Sequence, residues 1–224
     1  MGVAALEISK RQARTDAGLP TCTHLLNYFC VLAEAVERGD EGLTRLALHQ
    51  AATEYEPTIC INYALQAACE GNRVVFAELL LDHGADINFI GGPFETCLHA
   101  AIVGGHLSMV RQLIAWGANI DFATDGFGAP LHSGSTWGRE DIVLELLSSG
   151  ADVNQTTDRQ TTALQIAAVE GHGAVVQQLL YFEANDNLGG GTHGNALQAA
   201  AAMGHTEIVS MLLPGGADLH ASGG

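Results

Sequence analysis

Basic residues are scarce in this 224-residue chain: nine Lys and Arg stand against 25 Asp and Glu, for a formal charge of −16. Lys10 is the only lysine. A phosphate backbone is bound through clustered Lys and Arg, so the balance speaks against a nucleic-acid partner, and docking on anionic lipid is unfavourable for the same reason. No apolar run approaches the ~20 residues of a membrane span. The opening MGVAALEISKRQARTD places its basic residues after its short apolar stretch, the reverse of a secretory leader. Leu6 breaks the myristoylation pattern that Gly2 begins. The five cysteines, Cys22, Cys30, Cys60, Cys69 and Cys97, are odd in number and form no CxxC. They read as buried reduced thiols of an intracellular protein, cytoplasmic or nuclear, rather than as disulfides or metal ligands.

Glycine, in contrast, is plentiful: 27 residues of 224, where about 7% is ordinary. A hydrophobic share of 47% and a mean hydropathy of +0.17 exclude a disordered chain, so the glycines mark special backbone turns. Their order explains them. Leu32, Leu65, Leu98, Leu131, Leu164 and Leu197 stand 33 residues apart without a slip. Around the last five the text reads YALQAA, TCLHAA, APLHSG, TALQIA and NALQAA. Seven residues after each leucine comes Gly39, Asn72, Gly105, Gly138, Gly171 or Gly204, types that tolerate a left-handed helix end. Apolar pairs follow at Leu80-Leu81, Leu113-Ile114, Leu146-Leu147, Leu179-Leu180 and Leu212-Leu213, and then GADIN, GANID, GADVN, EANDN and GADLH.

Each period therefore reads as a short helix, a Gly turn, a longer helix, a Gly cap and an Asp/Asn-rich extended turn. Thr96 and Thr162 suit the first helix's N-cap, and Pro130 suits its first position. The Ala pairs at 67–68, 100–101 and 199–200 permit close helix approach. No single unit can bury its apolar face alone, so neighbours must stack.

The pattern resembles the ankyrin repeat, whose TPLH…A…GH…LLxxGADVN text occurs in five successive units over residues about 57–220. The ALQAA variant, clearest at Asn195–Asp218, is similar to the form common in filamentous fungi. The resemblance implies an all-α solenoid of stacked helix-turn-helix units with hairpin-like loops. It divides the chain into an N-terminal extension (1–20), degenerate capping helices (21–56) and five repeats (57–224). Departures occur at Ser133-Gly134 in place of Ala-Ala, at Glu183 in place of the helix-ending glycine, and at Pro214 in the final helix's last turn. Together with the ending Ala221-Ser-Gly-Gly, these predict a weaker C-terminal repeat.

The ten histidines suggest a metal or catalytic inventory until they are placed on the repeat. The resemblance gives His99 and His132 the TPLH position and His106, His172 and His205 the GH position, all structural. No HExxH, zinc spacing, GxSxG, Walker or dinucleotide-binding pattern is present. GGGTHG at 189–194 falls on a hairpin and lacks the lysine of a phosphate cradle. No metal and no cofactor are expected.

What the resemblance does supply is a concave recognition face, made of hairpin tips and the last turn of each first helix. Its partner-binding candidates here are Phe94, Glu95, Asp125, Phe127, Thr136, Trp137, Arg159, Val169, Glu170, His193 and Met203. Aromatic anchors with a charged rim suit a specific interface. The leading expectation is a non-enzymatic adaptor for a protein or peptide that is basic or carries an apolar anchor. The rival is a groove for an apolar small molecule, walled by Phe94, Phe127, Trp137 and Met203. It could serve a cofactor-free isomerase or cyclase of a metabolic pathway, with Asp125, Glu170 and His193 as acid/base groups.

Overall fold

The computed structural model describes residues 23–51 and 57–213. The N-terminal extension, part of the capping segment, Pro214, His220 and the Ala221-Ser-Gly-Gly ending lie outside the described residues. Among the described residues there are twelve helices and no strand. They pair as α1 Thr23–Arg38 with α2 Glu41–Ala51, α3 Pro57–Glu70 with α4 Val74–Asp82, and α5 Cys97–Gly104 followed by α6 Leu107–Ala115. Then come α7 Pro130–Thr136 with α8 Glu140–Ser148, α9 Ala163–Glu170 with α10 Gly173–Tyr181, and α11 Ala196–Met203 with α12 Thr206–Leu212.

These residues form two compact units. The first comprises those up to Gly104 together with Ala115–Ala118, and the second Gly105–Ile114 together with those from Asn119 onward. In the first, α1 packs on α2 and α3, and α3 on α4 and α5. In the second, α9 lies between α7 and α11, while α10 lies between α8 and α12.

The recurrent leucines are the core. All six are at most 2% exposed, and Leu80, Leu113, Leu146, Leu179 and Leu212 are fully buried. Fully burying such a side chain stabilises by about 1.5–3 kcal/mol, which is why the 33-residue register tolerates no slip.

The expected short-then-longer helix order is only partly observed. The first helices α5, α7 and α9 have 7 or 8 residues against second helices of 9, but α1 has 16, α3 has 14 and α11 has 8, longer than their partners of 11, 9 and 7. The reason is local: PTICINY offers no glycine or hairpin ahead of Leu65, so α3 starts early at Pro57. Later units place Thr96, Ala129, Thr162 or Asn195 at that junction, and the latter two cap their helices by accepting the Gln165 and Gln198 amides.

The left-handed positions follow the sequence. Gly39, Asn72, Gly105, Gly138, Gly171 and Gly204 all have positive φ. At Gly138 a second demand applies, because an added Cβ would lie 2.7 Å from the His172 ring. His172 Nε2 in turn donates to the Thr136 carbonyl at 3.2 Å. Arg73 and His205 repeat this bond, to the Glu37 and Val169 carbonyls. The structural reading of His172 and His205 is therefore observed directly.

Between the pairs, the GAD segments form a polar ladder. Asp121 Oδ1 accepts the Asp152 amide at 3.0 Å, and Asn154 Oδ1 accepts the Asn185 amide at 2.8 Å. The carboxylates at these turns are thus hydrogen-bond acceptors for backbone. Gly134 also acquires a packing role: it is buried, and a Cβ there would meet Val143 Cγ2 at 2.9 Å, so the helix-weakening glycine lets α7 sit close on α8.

Candidate functional site

The first helices end in a row of unlike side chains. In the second unit, α7 is buried from Pro130 through Ser135 and then emerges at Thr136 and Trp137. Trp137 is the C-cap and is 50% exposed. One period later, Val169 is half-buried and Glu170 exposed at the end of α9; one further, Met203 closes α11 at 45% exposure. The bonds from His172 to the Thr136 carbonyl and from His205 to the Val169 carbonyl hold these ends in register.

The opposite, N-terminal ends of these first helices are fixed by polar bracing. His132 Nδ1 accepts the Ala129 amide at 2.9 Å, which leaves Nε2–H to donate to the Gln155 carbonyl at 2.9 Å. Burial depresses the His132 pKa below the usual histidine range, and hydrogen bonds to backbone oppose this. Gln165 does the same work with an amide: Oε1 accepts the Thr162 amide at 2.6 Å, and Nε2 donates to the Leu188 carbonyl at 3.0 Å and to the Gly194 carbonyl. Gln198 Oε1 likewise accepts the Asn195 amide at 3.0 Å. A neutral imidazole and a carboxamide each offer one acceptor and one donor at opposite ends. That equivalence lets His132 and Gln165 serve at the same repeat position.

The hairpin candidates occupy separate loops. Asp125 is exposed at the tip of a turn closed by a Thr124–Gly128 bridge, while Phe127 is half-buried in it with its amide on Thr124 Oγ1 at 3.3 Å. Arg159 is exposed, and its carbonyl accepts the Gly191 amide at 3.1 Å. His193 is half-buried ahead of α11. The GGGTHG segment is accounted for by packing, since a Cβ on Gly190 would lie 2.1 Å from the Gln160 carbonyl oxygen. Among the described residues no hydrogen bond or ion pair joins Asp125, Glu170 and His193, which lie on three different segments.

Phe94 and Glu95 belong to the first unit. Both are half-buried, and Glu95 holds φ +61° while its carbonyl accepts the Gly91 amide at 2.9 Å. At the helix ends of this unit Glu70 titrates above the usual carboxylate range, first because it is partly buried and second because Glu37 repels its charge. Cys60, Cys69 and Cys97 are buried free thiols, and burial beside Cys97 pushes Cys69 up. Cys22 lies outside the described residues, as does the side chain of Cys30.

Two features escaped the sequence reading. Arg73 and Arg139 occupy the histidine's place in GH, a substitution visible only by counting 33 residues from His106 and His172. Tyr181, at the end of a second helix, is 82% exposed and rests edge-on against Phe182 at 5.5 Å; a tyrosine after a leucine pair gives no sign of which face it takes. Among the described residues no three His, Cys, Asp or Glu are grouped to hold a metal ion, and no helix is long and apolar enough to cross a membrane.

Comparison with known proteins agrees with this geometry at the level of the family. The family model for ankyrin repeats, built of three copies, matches residues 32–124, 67–157 and 131–222. No curated protein sequence matches the chain. Those matches together span the recurrent leucines, the left-handed turns and the GAD ladder, and the chain belongs to the ankyrin-repeat family.

Proposed function

We propose that the second unit is a protein-binding module whose recognition face is formed by the ends of α7, α9 and α11, with Trp137 as its anchor. Ankyrin repeats in general are protein–protein interaction modules. The observation that carries the more specific reading is Trp137 itself: a helix buried from Pro130 through Ser135 ends on an indole half in solvent. Tryptophan is enriched in binding hot spots because it brings a large rigid apolar area and one N–H donor to a contact. Met203 extends the apolar strip with a side chain that adapts to irregular surfaces, and Thr136 and Glu170 supply a polar rim.

The test compares affinity purifications of the full chain with those of Trp137→Ala and of Leu144→Ala, which removes an exposed apolar side chain from α8. Hot-spot truncations weaken binding by roughly thirtyfold or more. Partners retained by the Leu144 variant and lost from the Trp137 variant support the assignment. Partners lost from neither, or from the Leu144 variant alone, refute it.

A further inference from the structure

The ends of α7, α9 and α11 share an electrostatic property that the apolar anchor does not explain. All three present C-terminal turns, the negative end of a helix dipole, and the Thr136 and Val169 carbonyls there accept from the His172 and His205 rings. The exposed carboxylate of Glu170 is the last residue of α9, where the helix dipole disfavours an acidic side chain. Among the described residues of the second unit, eleven Asp and Glu stand against three Arg. Arg111 pairs with Glu145 at 2.7 Å, and Arg139, two residues after Trp137, places its guanidinium over the Gly105 turn. The third, Arg159, is on a hairpin.

Resting on the protein-binding reading above, we propose that Trp137 and Glu170 form a subsite for one arginine side chain of the partner, which lies across the indole face and turns its guanidinium toward the carboxylate. The two residues occupy equivalent positions on helices packed side by side, and neighbouring helix axes are about 8–10 Å apart. A gap of that size suits a planar cation with a long aliphatic stem. Trp is the strongest cation–π acceptor, and guanidinium is the commoner partner because it is planar and weakly hydrated. A carboxylate receives it through two parallel hydrogen bonds, which an ammonium cannot reproduce. Met203, one helix further on, then meets an apolar residue of the same partner segment. The partner is thus a basic segment with an arginine next to an apolar side chain.

The probe is a random peptide library selected on the full chain at low ionic strength. Selected peptides are resynthesised with each arginine replaced by citrulline, which keeps the shape and removes the charge, or by lysine. Binding is followed through the indole of a Trp116→Phe chain, in which Trp137 is the single tryptophan. The expected result is arginine-bearing binders that perturb Trp137, with a loss of roughly tenfold or more on citrulline exchange. That loss shrinks in Glu170→Gln, as coupling between the two charges requires, and the lysine peptides bind less tightly than their arginine parents. Peptides that depend on Trp137 but are indifferent to citrulline exchange overturn the arginine subsite and leave the protein-binding face standing. A selection without any binder that Trp137→Ala weakens overturns both.

Discussion

Replacing His132 by alanine and by glutamine separates two things the imidazole does. The ring takes the Ala129 amide on Nδ1 and gives Nε2–H to the Gln155 carbonyl, both at 2.9 Å, while being 1% exposed. Alanine leaves both backbone groups without this partner in a buried site. At about 1–3 kcal/mol for each of the two orphaned groups, the loss is about 2–6 kcal/mol. In a chain of this length that lowers the melting temperature by on the order of 10 °C. Glutamine restores one acceptor and one donor, as Gln165 does one period later with its bonds to the Thr162 amide and the Leu188 carbonyl. Glutamine should therefore retain all but about 1 kcal/mol.

The two side chains differ in acid. Burial lowers the folded-state pKa of His132 below its ordinary value of 6.5, so the unfolded chain binds the proton more readily. The stability contributed by neutral His132 is fully present above the unfolded pKa and drains away as pH falls through 6.5 toward the lower folded value. Protonation also removes the Nδ1 lone pair that accepts the Ala129 amide. Urea unfolding followed between neutral and mildly acidic pH should show this slope in the wild type and a smaller one in His132→Gln. A glutamine variant as unstable as the alanine variant, or one that keeps the full acid-side slope, would refute the reasoning.

Two further perturbations test the backbone and the charges. Glu183 holds φ +64° where equivalent turns have Gly84, Gly117 and Gly150 at +88° to +95°. A side chain in that region is disfavoured by roughly 1–2 kcal/mol, so Glu183→Gly should raise stability by about 1 kcal/mol in thermal or urea unfolding; no gain would mean that the turn already accommodates its Cβ. Glu70 titrates above its ordinary value through burial and the charge of Glu37, so its native-state stabilisation belongs to low pH and is lost as pH rises through the folded value. Glu70→Gln should therefore be more stable than wild type at neutral pH and lose that advantage in acid, and an advantage independent of pH would contradict the assignment.

The parts of this architecture that the sequence made legible are those decided within a few residues. Leu32 to Leu197 mark burial because each sits at the same place in a helix with the same neighbours, and Gly39 to Gly204 mark left-handed turns because few other residues adopt them. Glu183 was legible as a departure for the same reason. The length of α3 was not, since the reading relied on a hairpin that PTICINY does not encode. The packing role of Gly134 depends on Val143 in another helix, and no local rule contains that distance. In the site, Trp137, Glu170 and Met203 were placed by repeat register, and all three are exposed. The exposure of Tyr181 was not legible, because which side of a second helix is left uncovered depends on its neighbours and not on its own text.

The central claim is that a partner protein meets the ends of α7, α9 and α11. A photoreactive phenylalanine analogue introduced singly at Trp137, Met203 and Leu144, all about half-exposed in the same unit, tests it directly in cells. The account predicts a shared crosslinked partner from positions 137 and 203 and none from 144; crosslinks to a partner from 144, with neither 137 nor 203 giving any, would contradict it.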